Sequence, residues 1–487
     1  MTVLFDAPEI WLTVLACVLL LGEAFTGVRS RTIGQFAVVG TAVIFVVTLL
    51  SVVPPGGATY WSGSYIWDGT AQFFKLFFIF TSLVVTWMSL TFESQIDENR
   101  AEFYVLPLLI TAGMCLLASA GDFMLMFVAL ELVTITFYIL VAYQRQVRAS
   151  LEAGVKYLIL GGLSSAFLVM GIAYVYGLTG STNFSLVFGV IQAGEITGPS
   201  VLPLAFGLLL VLVGIGFKIA GVPFHIWAPD VYQGAPTPIT AFLSVGSKAA
   251  GFVILIRVLV DAFGLVQLYA NYWSLLLIIM AAASMLLGNL AAIPQRNLKR
   301  MLAYSSIGHS GFVLIGVLAL AGSGPARELG GTAVGIYLIS YLIASLLAFV
   351  IVAIVTQKES PDAIHNYAGL WQRSPLLAGG LAVALISLAG IPPTVGFVGK
   401  LTIFTAAWEA NLYSLFWIGV AAAVAGFYYY LGVVKTMFWS KPLDTEPIPV
   451  APSLRFLILL LVVATFVLGF FTTGLQVMVG DLVAANL

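Results

Sequence analysis

Charged residues are scarce in this sequence. Asp, Glu, Lys and Arg make up only 8% of its 487 residues, whereas 61% are hydrophobic. A mean hydropathy of +1.07 over this length excludes a water-soluble globular protein. The composition therefore predicts an all-α polytopic membrane protein.

Cysteine and histidine are also scarce. The two cysteines, Cys17 and Cys115, lie in separate apolar runs without CxxC spacing, so a disulfide framework, a zinc site and a c-type haem have no basis. The dispersed His225, His309 and His365 form no obvious metal or haem cluster. The loops are too short for a soluble domain. We therefore expect neither a metal nor a cofactor in this chain, and its energy must come from partner subunits or from an ion gradient.

Long apolar runs divide the chain into fourteen predicted transmembrane helices, since a spanning helix needs about 20 apolar residues. The spans fall near 8–27, 33–54, 72–92, 102–119, 122–142, 154–178, 203–222, 238–262, 271–293, 299–321, 329–356, 375–408, 411–438 and 454–478. Most of the 20 Lys and Arg residues then lie in loops on one side, and only Arg327 lies in a loop on the other. Because basic residues collect in cytoplasmic loops, both termini are predicted on the outer side.

Four ionisable residues lie deep inside these spans: Glu131, Lys218, Lys248 and Lys400. Such a group at membrane depth costs at least ~2.5–3.5 kcal/mol and by default indicates a function. Glu131 follows Asp122 by nine residues, which places it about 13 Å into the membrane at 1.5 Å per residue. Close opposite charges favour each other's ionised form and titrate together. The four residues therefore predict a relay that carries charge across or along the bilayer.

Proline and glycine indicate that three spans are broken. Pro223 follows Lys218 in the seventh span, Pro238 precedes Lys248 in the eighth, and Pro392 and Pro393 precede Lys400 in the twelfth. Unwound backbone at membrane depth is tolerated where it is buried or lines a wet cavity, as in the ion sites of transporters. Helices 7, 8 and 12 are therefore predicted to be discontinuous at the site.

Other ionisable residues leave alternatives open. His225 and Lys156 are possible further relay residues, and a structural hydrogen bond is an equal alternative for His225. We expect His309 and His365 to be structural. Lys75 and Arg257 lie near the outer ends of their spans, where snorkelling to the surface is expected. Buried lysines also form purely structural ion pairs. The alternative to the relay is therefore a structural scaffold in which these charges only fix helix packing.

Several sequence blocks resemble the antiporter-like proton-translocating subunits of respiratory complex I, and most closely the N subunit. The resemblance covers nearly the whole chain. Its most specific stretch is GFKIAGVPFHIWAPDVYQGAPTP at 216–238, followed by SKAAGF at 247–252, and GNLAAIPQRNLKRMLAYSSIGHSG at 288–311 and SLAGIPPTVGFVGK at 387–400 are further matches. LEAGVKY at 151–157 and YYYL at 428–431 also match. The resemblance implies inverted repeats of helices 4–8 (102–262) and 9–13 (263–438), between a three-helix segment (1–101) and helix 14 (439–487).

By position, Glu131 and Lys218 resemble the family's glutamate–lysine pair, Lys248 its connecting lysine, and Lys400 its helix-twelve lysine. The resemblance implies a subunit of an NADH:quinone oxidoreductase that pumps protons while partner subunits, which carry flavin, iron–sulfur clusters and quinone, transfer electrons. It further implies neighbouring antiporter-like subunits and a bacterial-type inner membrane or equivalent, with no nucleic acid as partner. The rivals are a subunit of a multi-subunit sodium/proton antiporter and a structural scaffold.

Overall fold

The structure is a computed structural model that describes residues 7–27, 29–92, 101–265, 267–322, 324–356, 362–442 and 444–483. Helices dominate the described residues, which contain one two-stranded sheet. Residues 1–6 and 484–487, for which the sequence analysis predicts the outer side, lie outside the described residues.

The N-terminal segment contains three helices and a short hairpin. These are α1 (Pro8–Thr26), α2 (Ser30–Leu50), β1 (Ala58–Tyr60), β2 (Tyr65–Trp67) and α3 (Gly69–Ser89). The strands are antiparallel, with Thr59 opposite Ile66. The Asp68 carboxylate accepts a hydrogen bond from the Ala71 backbone N–H (2.7 Å) and so caps the N-terminus of α3. The cap fixes the point at which the hairpin enters the bundle.

The next part of the chain holds the seventh and eighth predicted spans. Its helices are α4 (Glu102–Ala118), α5 (Phe123–Val141), α6 (Arg148–Thr179), α7 (Phe184–Gln192), α8 (Val201–Lys218), α9 (Trp227–Gly234), α10 (Thr237–Phe242) and α11 (Lys248–Arg257). A 3₁₀ turn at Gly198–Ser200 precedes α8, and π-helical turns at Leu243–Ser247 and Val258–Ala262 flank α11. Between α8 and α9 the chain leaves the helix from residue 219 to residue 226.

The interruption predicted for the eighth span lies before the span and not within it. Residues Thr237–Ala262 form one continuous helical span. Pro238 occupies the first turn of α10, where a missing N–H removes no helical hydrogen bond. Inside the span the helix departs from α-helical geometry at two π-helical turns, one directly before Lys248 and one at Val258–Ala262, a feature that often accompanies functional sites.

The second half of the chain ends with two helices beyond the predicted thirteenth span. Its elements are α12 (Gln267–Ala292), α13 (Leu298–Ala319), α14 (Pro325–Thr356), a 3₁₀ turn (Ile364–Tyr367), α15 (Leu370–Arg373), α16 (Pro375–Ala389), α17 (Val395–Glu409), α18 (Tyr413–Trp439), α19 (Pro452–Phe470) and α20 (Thr472–Val483). The twelfth span is divided into α16 and α17 by residues 390–394. The segment 439–487, predicted as helix 14 alone, holds both α19 and the shorter α20.

Twelve helices among the described residues are long and apolar enough to cross a membrane. Two shorter apolar helices, α4 and α16, occupy the fourth span and the first part of the twelfth. The predicted helical membrane fold is therefore confirmed, and each of the fourteen predicted spans contains a helix.

Burial sorts these helices into an inner group and a peripheral group. Almost every residue of the span Thr237–Ala262 is buried, as are nearly all of α13 and most of α14. In contrast, α1, α2, α6, α18 and α19 expose broad apolar faces. The inner helices carry Lys248 and His309, so the fold places these ionisable side chains on the axis of the bundle.

Candidate functional site

Lys218 lies at the C-terminal end of α8, beside the break. Its side chain is buried, and its ammonium donates a hydrogen bond to Thr134 Oγ1 on α5 (3.0 Å) and lies 5.7 Å from the centre of the Phe137 ring. The free carbonyl groups at a helix C-terminus attract positive charge. A positive charge is therefore favoured at this end of α8.

Glu131 is a neighbour of this site that forms no ion pair with Lys218. It lies one helical turn before Thr134 on α5 and accepts a hydrogen bond from Ser165 Oγ (2.5 Å). No ion pair within 4 Å joins the two charges, although both belong to the described part of the chain. Glu131 is also partly exposed, not buried as its depth in the sequence suggested. The direct partner of Lys218 is therefore the Thr134 hydroxyl, and the predicted acid lies one turn away from it.

The break after α8 leaves backbone groups that must find partners away from water. Ser310 Oγ donates to the Ile219 carbonyl (2.7 Å), Ser284 Oγ accepts from the Val222 N–H (2.9 Å), and Trp227 Nε1 donates to the Phe217 carbonyl (3.0 Å). Side chains from α9, α12 and α13 therefore satisfy backbone groups that the break leaves without helical partners.

Lys248 is buried against α13, where neutral groups surround its ammonium. It donates to the Ser306 carbonyl (2.8 Å), Ser306 Oγ (2.8 Å) and Ser310 Oγ (3.3 Å). Ser310 in turn donates to Ile219, the residue after Lys218. Because a hydroxyl both donates and accepts, these partners suit a charged or a neutral amine. Lys248 is thus linked to the break beside Lys218 through one hydroxyl.

His309, which the sequence analysis assigned to a structural role, lies one turn after Ser306 on α13. Its Nδ1 contacts Tyr337 OH (2.7 Å) and its Nε2 contacts Tyr430 OH (3.1 Å). Both ring nitrogens therefore have a hydroxyl that can donate or accept, so the ring keeps both hydrogen bonds in either tautomer and when protonated. The signal in the sequence was the helical spacing of Ser305, Ser306, His309 and Ser310, which places polar groups along an otherwise apolar helix.

Lys400 lies in α17, after the break that follows α16. Its ammonium donates to the Ala389 carbonyl at the end of α16 (2.5 Å) and lies 5.6 Å from the centre of the Phe312 ring. Gly390, with φ +83°, makes the turn, and a Cβ at this position would come within 2.6 Å of the Lys400 side chain. The glycine therefore gives the lysine room to reach the helix end.

A small cavity of about 10 Å³ separates His309 from Lys400. This volume is close to what one water molecule needs. Its lining residues are His309, Tyr337, Ser340, Tyr341, Ser387, Leu388, Gly396 and Lys400. We name Lys218, Lys248, His309 and Lys400 the central row. Ser310 Oγ bonds both Lys248 and the backbone next to Lys218, and His309 lies one turn after Ser306, the other serine partner of Lys248. His309 and Lys400 both line the cavity.

Lys156 lies away from the central row. Its ammonium is 2.7 Å from both Asp230 and Glu152, and Arg300 lies 2.6 Å from the other Asp230 oxygen. Burial raises the pKa of Asp230, but the hydrogen bonds from Lys156 and Arg300 outweigh it and hold that pKa below its usual value. The cluster is partly exposed and ties α9 to α6 and α13.

His225, the other possible relay residue, is half-buried in the segment between α8 and α9. Its Nδ1 has no hydrogen-bond partner among the described residues.

Lys75 and Arg257 do not snorkel to the surface as the sequence analysis expected. Lys75 is 1% exposed and lies 2.6 Å from Tyr65 OH and 3.5 Å from Glu9. Arg257 is 2% exposed and binds Asp68 through two hydrogen bonds of 2.7 Å. Burial raises the pKa of Asp68, but the Arg257 charge outweighs it and lowers that pKa. Acids from the N-terminal segment thus pair with both cations, and Asp261 lies 3.0 Å from Arg257 as well.

No group of three or more His, Cys, Asp or Glu side chains could hold a metal ion, as far as the described residues extend. The central row contains bases and hydroxyl groups, which are able to accept and donate protons. Each buried lysine in it contacts neutral partners, whereas Lys75 and Arg257 contact acids.

Comparison with known proteins identifies relatives over most of the chain. Residues 120–426 match the family described as NADH:quinone oxidoreductase/Mrp antiporter, TM. The chain is 41% identical over 442 residues to NADH-quinone oxidoreductase subunit N of Desulforamulus reducens, a match that covers 91% of this chain and 89% of that protein. The resemblance that the sequence blocks suggested is therefore confirmed.

Solved structures show the same fold. A chain of respiratory complex I from Thermus thermophilus with bound aureothin matches with a TM-score of 0.79 and 32% identity, and the match covers 96% of this chain and 98% of that one. A chain of the Mrp complex from Dietzia has a TM-score of 0.86 at 21% identity, with 99% and 97% covered. At that identity the second match supports the antiporter-like fold alone.

Proposed function

This chain belongs to the NADH:quinone oxidoreductase/Mrp antiporter membrane family. We propose that it is a proton-translocating membrane-arm subunit of a complex I type quinone oxidoreductase. It contributes to the enzyme as part of the translocase and performs no redox chemistry itself. Flavin, iron–sulfur clusters and quinone belong to partner subunits in this proposal. Its direct neighbours are other membrane-arm subunits, including antiporter-like ones, and the lipid bilayer.

The central row is the observation that carries this proposal. A buried lysine with neutral partners costs free energy that an ion pair would reduce, so a purely structural role predicts acids beside Lys218, Lys248 and Lys400. Hydroxyls, a histidine and a water-sized cavity lie there instead. In the proposed relay a proton passes between neighbouring bases of the row, and the charge of Glu131 modulates Lys218 from one helical turn beyond Thr134.

The two helix breaks support the repeat organisation implied by the resemblance. We infer repeats at 102–262 and 263–438, flanked by the segments 1–101 and 439–487. A break next to a buried lysine occurs in each repeat, with Lys218 before Pro223 and Lys400 after Pro392 and Pro393. The collection of the basic loops on one side supports an inner, cytoplasmic-type membrane with both termini outside.

Substituting Lys400 with alanine tests this function. In the purified parent complex reconstituted in vesicles, Lys400→Ala is expected to reduce the protons pumped per electron while electron transfer to quinone continues, because the row loses its last base. Proton uptake and quinone reduction are measured in the same vesicles. Pumping per electron equal to wild type would remove Lys400 from the relay, and pumping without any electron donor would favour the sodium/proton antiporter alternative.

Lys248 distinguishes the relay from a structural scaffold. Methionine retains much of the length and the apolar stem of lysine, so Lys248→Met is expected to preserve assembly while pumping falls, since no other base bridges Lys218 and His309 in the row. The measurement is the amount of intact complex together with its pumping rate. A scaffold requires the reverse result, in which the neutral variant pumps at the wild-type rate.

A further inference from the structure

A second polar network leaves the central row at His309 and is separate from the lysine relay. Tyr430 OH, bonded to His309 Nε2 (3.1 Å), also forms a hydrogen bond with Ser305 Oγ. The neighbouring Tyr429 ring lies 4.3 Å from the Tyr430 ring between centres, and Tyr429 OH donates to Asn289 Oδ1 (3.0 Å). The side chains of Ser305, Tyr430, Tyr429 and Asn289 are all buried.

This network leads toward the side of the bundle that holds the loop 293–297 between α12 and α13, named the basic side. His309 lies eleven residues after the start of α13 and Ser305 lies seven, or about 16 Å and 10 Å from that end at 1.5 Å per residue. Asn289 lies three residues before the end of α12, about 5 Å from the same side. The polar groups therefore descend from the middle of the bundle to within one helical turn of the basic side.

Glycines bring the helices of this network into contact. A Cβ on Gly288 of α12 would lie 2.4 Å from the Gly308 backbone nitrogen of α13, and a Cβ on Gly308 would lie 2.7 Å from Asn289 Nδ2. Neither position has room for a side chain. The close approach places Asn289 beside the turn of α13 that carries His309, where a larger residue would separate the two.

We propose that the hydroxyls of Tyr429, Tyr430 and Ser305 form a branch that exchanges protons between His309 and the basic side, with Asn289 orienting Tyr429. A hydroxyl accepts one proton and donates its own, so the proton moves along the branch without changing any member. The branch rests on the proposed function and adds to it a second access route, from the basic side to His309. Hydrogen bonds join His309, Tyr430 and Ser305, and the Tyr429 ring packs against Tyr430, so all three hydroxyl-bearing side chains gather between His309 and the basic side.

The test compares variants of one tyrosine run. Tyr430→Phe removes the hydroxyl between His309 and Ser305, and Ser305→Ala ends the branch while it leaves the Tyr430–His309 bond intact. Tyr428→Phe is the matched control, because Tyr428 is on the same helix but 70% exposed whereas Tyr430 is 1% exposed. Each variant is assayed in the reconstituted parent complex for pumping rate, protons per electron and the ratio of pumping rates in H₂O and D₂O.

We expect Tyr430→Phe and Ser305→Ala to slow pumping and to raise the H₂O/D₂O ratio, because proton delivery becomes limiting, while Tyr428→Phe matches wild type. Tyr429→Phe supplies the same test if Tyr430→Phe does not assemble. An unchanged isotope ratio in both Tyr430→Phe and Ser305→Ala, or a defect in Tyr430→Phe alone, would overturn the branch and leave Tyr430 as a positioning residue for His309. Normal pumping in these variants together with impaired pumping in Lys400→Ala would reject the branch and retain the proposed function.

Discussion

Replacing Lys218 with methionine is expected to leave the complex assembled and to reduce its coupled proton pumping by about a hundredfold, the lower end of what the loss of a positioned proton-transfer group costs. Methionine preserves the packing of the stem against Phe137 but offers no base to the relay. Thr134 keeps its own hydrogen bond to the Leu130 carbonyl (2.6 Å), so the site needs no other group to fill it. Pumping and quinone reduction are measured together in reconstituted vesicles.

The control for Lys218→Met is the loss of a buried lysine outside the central row. In the double variant Lys75→Met with Glu9→Gln, both members of a buried ion pair become neutral, a change that is often tolerated. This variant is expected to pump at the wild-type rate if it assembles. A Lys218→Met complex that pumps as many protons per electron as wild type would assign Lys218 to helix packing.

Removing Arg257 is expected to cause the largest loss of stability among single substitutions of the buried cations. Arg257→Ala leaves Asp68 as a buried, unpaired carboxylate and also removes the hydrogen bonds to the Ala118 carbonyl (3.0 and 3.1 Å). Breaking one partner of a buried ion pair costs about 3–5 kcal/mol. We expect a large fall in the melting temperature of the purified complex, or loss of the subunit from it, since Asp68 also caps α3.

Two variants separate the ion pair from other effects of Arg257. Arg257→Met combined with Asp68→Asn and Asp261→Asn removes every charge of this cluster and is expected to recover most of the lost stability. Lys156→Met is the exposed counterpart and should change the melting temperature little, because its partners are screened by solvent. If Arg257→Ala melts like wild type, the N-terminal segment is not held to the core by this ion pair.

The buried lysine and arginine side chains differ in the charge of the groups that they contact. Arg257 and Lys75 each face acids contributed by α1, the hairpin or the start of α3. In the central row, Lys248 faces two serine hydroxyls and a carbonyl of α13. Each of these cations is a lysine or arginine in an apolar helix. The local sequence around it therefore does not distinguish a structural ion pair from a proton-transfer group.

The amino-acid sequence by itself determined the class of protein and the apolar runs that form its long helices, and it predicted that Lys218, Lys248 and Lys400 are buried. These properties are local, because hydropathy, proline and helical rise act within about 20 residues of one run. The sequence blocks also identified the family, which the comparisons confirm.

Only the tertiary structure decided which groups accompany these residues. It makes Thr134 the direct partner of Lys218, introduces His309 into the row, and buries Lys75 and Arg257 against acids. It also separates Lys156 from the row and moves the eighth interruption ahead of its span. The physical reason is that the free energy of a buried charge depends on its nearest partners, which in this fold come from helices far apart in the sequence and meet only after the helices pack.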